Sequence, residues 1–248
     1  MKQNLVSSMN MQQRIILITG ANRGIGNATG LELCKLGHTV IFTSRKLENL
    51  KAIKKICSDK SYKADFFELD VSSLSSIQQL KKSIKNKYDH IDTLINNAGI
   101  LIDRDFPMQS VDDGIEAMPL DKLQTTIQTN LVGPIMMIQT FADMLKKSTG
   151  GIIVNFSSTL GSLASMDGGM PSYRITKCAL NAVTKICSSE LEGVKVNSIH
   201  PGWVQTDMGG KGASLTIDAS VPGVVWAATL PKDGPTGKFF FNQKEIDW

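Results

Sequence analysis

The sequence predicts an α/β fold of one domain, a Rossmann-type, doubly wound sheet of seven mostly parallel strands with helices on both faces. Three observations carry that expectation. Short β-rich runs recur at Ile15–Thr19, Thr39–Thr43, Ala64–Glu68, Thr93–Asn96, Ile152–Ser157, Val194–Ile199 and Lys238–Phe241. Several are unbroken apolar runs, as strands buried on both faces of a parallel sheet must be. Helical periodicity separates them: after the first run Ile25, Ala28, Leu31 and Cys34 recur at helical spacing, and Gly37 ends the helix.

The chain of 248 residues fits one large sheet without an internal repeat, low-complexity tract or linker to divide it. Residues 14–248 are read as a single catalytic domain and 1–13 as a flexible extension, polar and outside the fold. Hydrophobic residues make up 42% and charged residues 20%, which supplies a core and excludes wholesale disorder. A net charge of +4, scattered along the chain, gives no footprint for nucleic acid. Lysines at 51, 54 and 55 and at 81, 82, 85 and 87 stand among apolar residues at helical spacing and read as solvated helix faces. Cys34, Cys57, Cys178 and Cys187 form no CxxC and have no histidine pair at zinc spacing, so reduced, buried thiols and no metal are expected. The run Ile15–Ile18 is too short for a secretory or membrane segment, and a cytoplasmic protein without membrane attachment is expected.

Directly after the first strand comes Thr19-Gly20-Ala21-Asn22-Arg23-Gly24-Ile25-Gly26. Glycines at a strand-to-helix turn let the backbone approach a pyrophosphate, and the N–H groups of the helix N-terminus then face the anion. The first gap is three residues instead of the common one, and a glycine-rich turn can be purely structural; the flanking strand and helix favour nucleotide binding. A cofactor with a free 2′-hydroxyl is usually held by an acid at the end of the second strand. Here that strand ends Thr43-Ser44-Arg45-Lys46. Arg23 and Arg45 suit a 2′-phosphate, because guanidinium forks bind phosphate oxygens in bidentate fashion, so NADP(H) is expected over NAD(H). The competing reading makes Arg45 one more surface arginine.

Tyr173 and Lys177 stand four apart, on one face of a helix that continues through Leu180, Val183 and Ile186. A free tyrosine titrates near ~10 and needs a nearby cation to act as an acid or base at neutral pH. An ammonium one turn away supplies it, although the same spacing also occurs in ordinary amphipathic helices. Upstream, the strand ending at Ser157 and Ser158 delivers hydroxyls to the carboxyl edge of the sheet, where ligands of open α/β sheets bind; strand-end turn chemistry is the alternative for both.

Together these segments resemble the short-chain dehydrogenase/reductase family, and most of all its carbonyl-reductase-like branch. The resemblance runs from Arg14 to Gly237. Beyond the glycine loop, Leu69-Asp70-Val71 is similar to the segment that contacts the adenine, with Asp70 and Val71 as contacts. Asn96-Asn97-Ala98-Gly99 is similar to the turn that lines the cofactor, through Asn97, Ala98 and Gly99. Pro201-Gly202 with Val204 and Thr206 is similar to the segment beside the nicotinamide carboxamide. The resemblance implies a catalytic group of Asn130, Ser158, Tyr173 and Lys177, with Ser157 as the reserve choice for the serine. Gly20, Asn22, Arg23, Gly24, Ile25, Gly26, Ser44 and Arg45 would hold the dinucleotide, and Tyr173 and Lys177 its nicotinamide ribose.

The implied activity is NADPH-dependent reduction of a ketone or aldehyde, or the reverse, with Tyr173 as general acid and base. Ser158 would hold the carbonyl oxygen and Asn130 a water that reconnects Lys177 to solvent. Ile100, Leu160, Met166, Met170, Trp203 and Met208 suit a hydrophobic substrate, with ordinary packing as the alternative for each. Asp207–Ser220, with glycine at 209, 210 and 212, reads as a small lid. A non-catalytic NADP(H)-binding protein, an enoyl reductase and an epimerase remain as rivals. By resemblance, a homodimer or homotetramer is expected.

Overall fold

A computed structural model describes residues 12–103, 114–116 and 118–248. The extension expected over 1–13 lies outside the described residues as far as 11; Gln12 and Gln13 are placed, with Gln12 Nε2 donating to Thr149 Oγ1 and Gln13 Oε1 accepting from Lys63. Among the described residues eight strands, β1 Ile15–Ile18, β2 Thr39–Ser44, β3 Ala64–Glu68, β4 Thr93–Asn96, β5 Gly151–Phe156, β6 Val194–His200, β7 Phe239–Phe241 and β8 Lys244–Glu245, form one sheet in the order 3-2-1-4-5-6-7-8. The first seven are parallel. The two-residue β8 pairs antiparallel to β7 and was not foreseen; it is a short charged segment brought back by a hairpin turn at Asn242 and Gln243, both with positive φ.

Helices α1 Gly24–Lys35, α2 Lys51–Asp59 and α7 Ile217–Ala228 cover one face, and α3 Leu74–Lys85, α5 Gly133–Lys146 and α6 Pro171–Glu190 the other. Neighbouring strand residues serve opposite layers: Ile16 and Ile18 pack with α1, α2 and α7, while Leu17 packs with α3 and α5. The expected α1 stripe meets the core at Ile25, Leu31 and Cys34, and the buried face extends beyond it. Gly26, Thr29, Gly30, Leu33 and Cys34 are buried, with Ile25, Ala28 and Leu31 beside them. A Cβ on Gly30 would stand 2.3 Å from the Phe42 ring, so the helix sits on β2 at a distance only glycine permits.

The chain lays down β1, β2 and β3 outward in one direction and then returns past β1 to place β4. That reversal opens a crevice at the carboxyl ends of β1 and β4, which is where α/β sheets receive ligands.

Candidate active site

A cleft of about 1050 Å³ fills that crevice. Gly20, Asn22, Arg23, Gly24, Ile25, Ser44, Arg45, Asp70, Val71, Asn97, Ala98, Gly99, Tyr173, Lys177, Pro201 and Thr206 all line it, so most of the positions read from the sequence converge on one wall-to-wall site. Gly26, Asn130, Ser158, Gly202 and Val204 stand behind the lining. A Cβ on Gly26 would fall 2.4 Å from Asn97 Nδ2, the amide that ties the two central turns together by donating to the carbonyls of Thr19 and Gly20. Gly202 has φ +94° and faces Leu215, and Val204 is buried.

At one end of the cleft α1 begins without a side-chain cap or an acid in its first turn, so its leading N–H groups are left for an anion. Gly20 and Gly24 hold positive φ, the left-handed backbone that the loop needs. No carboxylate ends β2; Ser44 is buried there and Arg45 is exposed. Arg23 reaches across the mouth to pair with Asp207, which was not foreseen. Both side chains are more than 70% exposed, so the pair is weak and readily exchanged. Asp70 Oδ1 is held by the N–H and hydroxyl of Ser72 at 2.9 and 2.6 Å.

At the other end Lys177 is buried, and desolvation pulls its ammonium down to about 8. Its Nζ donates to the Phe156 carbonyl at 2.6 Å and lies 5.3 Å from the centre of the Tyr173 ring. Asn130 sits in a widened π-turn, Gln128–Val132, between α4 Leu120–Ile127 and α5. Its side chain is fully committed: Oδ1 accepts from Ile100 N and Nδ2 donates to Ile100 O, both at 2.8 Å, with Thr176 Oγ1 at 3.4 Å. Ser158 caps the short turn Thr159–Gly161, its Oγ accepting from Leu160 N at 3.1 Å. His200, pushed to about 4 by burial and so neutral, accepts from Thr159 N through Nδ1. Gly161 closes the turn on the Lys177 backbone, where a Cβ would meet the Lys177 carbonyl carbon at 2.6 Å. Ser157, the reserve choice, lines the cleft, but its hydroxyl donates to the Lys177 carbonyl at 3.3 Å.

Beneath these groups runs a buried polar row at the ends of β4, β5 and β6. Asn96 Nδ2 donates to Asn155 Oδ1 and Asn155 Nδ2 to Thr184 Oγ1, each at 2.9 Å, and Thr184 meets the Ser198 hydroxyl at 2.8 Å. Of the expected apolar mouth only Ile100 and Met208 line the cleft; Leu160, Met166, Met170 and Trp203 lie outside it. The proposed lid is largely tied down. Gln205 N donates to Leu215 O, Leu215 N to Trp203 O and Trp203 Nε1 to Gly209 O, and residues from Ile217 belong to α7. Asn49, Ser72 and Lys211 line the cleft without having been singled out, because no local motif marks them.

The short-chain dehydrogenase family model matches residues 14–214. The chain belongs to this family. A 3-oxoacyl-(acyl-carrier-protein) reductase of Aquifex aeolicus is 35% identical over 201 residues, 80% of this chain and 77% of that one. Among solved structures, the NADPH-bound carbonyl reductase from chicken fatty liver superposes with a TM-score of 0.83 at 30% identity, covering 95% of this chain and 99% of the other. The carbonyl reductase Sniffer of D. melanogaster gives 0.84 at 32%, covering 95% and 100%. The chain is thus an oxidoreductase of the family's carbonyl-reductase-like branch. Among the described residues no helix is long and apolar enough to cross a membrane, and no cluster of His, Cys, Asp or Glu could hold a metal.

Proposed function

We propose that this protein reduces a hydrophobic ketone or aldehyde to an alcohol with NADPH, or runs the reverse reaction, using Tyr173 as general acid and base. The observation that carries this reading is Lys177, a buried ammonium one helical turn from a phenol, opening onto a cleft that begins at an uncapped helix N-terminus.

The residues present fit NADP(H). The bare α1 N-terminus suits a pyrophosphate, and Arg45, with Arg23 once it leaves Asp207, suits a 2′-phosphate where NAD(H) would want an acid. The bound cofactor supplies or accepts the hydride. Tyr173 donates its proton to the carbonyl oxygen as charge develops there, which is worth about 10²–10⁴ in rate. Ser158 hydrogen-bonds the same oxygen, its turn held by His200 and Gly161. Lys177, still mostly protonated at neutral pH, favours the phenolate left behind. Asn130, whose side chain clamps Ile100, would hold the water that reconnects Lys177 to solvent through its main-chain carbonyl. A cytoplasmic location and a homodimer or homotetramer accompany this reading; sedimentation as a monomer would remove the latter.

The test is to incubate the protein with NADPH and a panel of aldehydes, ketones and enones and follow cofactor absorbance. Aldehydes or ketones are expected to drive oxidation, and Tyr173→Phe to keep NADPH affinity while losing turnover about 10²-fold or more. Unchanged turnover in that variant sinks the assignment. Activity with enones alone favours an enoyl reductase, and none with any substrate favours an epimerase or a binding protein.

A further inference from the structure

Asp103 is only 6% exposed and lies in the connection that follows β4. Its Oδ2 accepts the backbone N–H of Tyr173 at 2.8 Å, across 70 residues of sequence. The start of α6 needs such a partner. Its N-cap residue, Met170, makes no side-chain capping hydrogen bond and is held in the left-handed region at φ 51°, and Pro171 has no N–H to give. A carboxylate at this point satisfies an orphan donor with a charge-assisted bond and suits the positive end of the helix.

Ile100, earlier in the same connection, is fixed as well, because Asn130 holds both its N–H and its carbonyl. Thr176 links that clamp to α6, its hydroxyl donating to the Tyr173 carbonyl at 2.9 Å. Residues 100–103 therefore form a strap between the π-turn and the first turn of α6. Tyr173 is the third residue of the helix, within the turn that frays first, whereas Lys177 lies a turn deeper under its own bond to Phe156.

We propose that Asp103 is a positioning residue for the reaction: by capping α6 at Tyr173 it fixes how the phenol projects into the cleft. This rests on the reading of Tyr173 as the acid and base. The mechanism is geometric, so reach matters more than charge. Asp103→Asn keeps an acceptor at the same distance; Asp103→Glu keeps the charge but adds a methylene; Asp103→Ala removes the acceptor.

Steady-state turnover and NADPH affinity, read by fluorescence titration, test this in the full-length protein. Asp103→Ala and Asp103→Glu are expected to lose about tenfold in kcat with NADPH affinity unchanged, since small misplacements of a reacting group cost this much or more. Asp103→Asn is expected to restore most of the wild-type kcat. Should Asp103→Ala fail to fold, Asp103→Glu against Asp103→Asn answers the same question. Wild-type kcat in Asp103→Glu, failure of Asp103→Asn to restore kcat, or loss of NADPH affinity in step with kcat overturns the proposal. An inactive Tyr173→Phe beside such a result confines the failure to Asp103, whereas an active Tyr173→Phe removes the reading on which both depend.

Discussion

The two ends of the cleft hold their charges in opposite ways. At the dinucleotide end, Arg23 and Arg45 are exposed cations, and Arg23 rests against an equally exposed Asp207. At the end proposed for catalysis, Lys177, Asn130 and Ser158 are buried; Lys177 and Asn130 are held by partners from other elements and Ser158 by the turn it caps. An exposed guanidinium costs little to place and can swing onto a ligand phosphate, so cofactor choice can be set by a few surface side chains. A buried ammonium is costly to hold, as its lowered pKa records, but it acts in a medium that screens it less. Selection is thus left adjustable, and the chemistry is fixed in advance.

Lys177→Met probes the fixed end most severely. Turnover is expected to fall about 10²-fold, because the proposed acid, Tyr173, loses the ammonium that would stabilise its phenolate. The pH dependence of stability then reports the cost of burial. The folded pKa is about 8 against an ordinary 10.5, so the unfolded chain binds more protons between those values. Wild type should therefore gain stability relative to Lys177→Met as pH rises from 8 to 10.5, measured by denaturant midpoints. A flat difference across that window would mean Lys177 is not desolvated. At the adjustable end, Arg45→Ala should weaken NADPH binding by roughly tenfold or more while leaving NADH untouched, since a hydrogen bond to a charged group is worth about 1.5–3 kcal/mol. Equal losses for both cofactors would show that Arg45 does not read the 2′-phosphate. Asp207→Asn should have the smallest effect, under about 1 kcal/mol in stability. A larger loss on thermal unfolding would make the mouth as rigid as the floor and erase the contrast.

Much of this site was legible because its signals are local. The glycine loop is one strand-turn-helix unit, and Tyr173 with Lys177 is one helix face. What escaped was assembled from a distance. Asp103 meets Tyr173 only after β4 and α6 are packed, and nothing near residue 103 announces it. The close packing of Gly26 and Gly30 against Asn97 and Phe42 is likewise invisible to a count of side-chain hydrophobicity. Four of six apolar residues assigned to the mouth, Leu160, Met166, Met170 and Trp203, follow from composition but not from a fixed register, and they lie off the cleft. Strand β8 has only two charged residues and no pattern to detect.

The reversal in strand order also bears on how the chain is made. β1 is flanked by β2 and β4, and its partner on the second side, Thr93–Asn96, follows only after β2 and β3 have been laid down. During synthesis the apolar Ile15–Ile18 therefore waits with one row of backbone N–H and carbonyl groups unpaired, an edge open to any extended segment it meets. The crevice that would receive a cofactor in the finished protein is, in the growing chain, the place most exposed to the wrong strand.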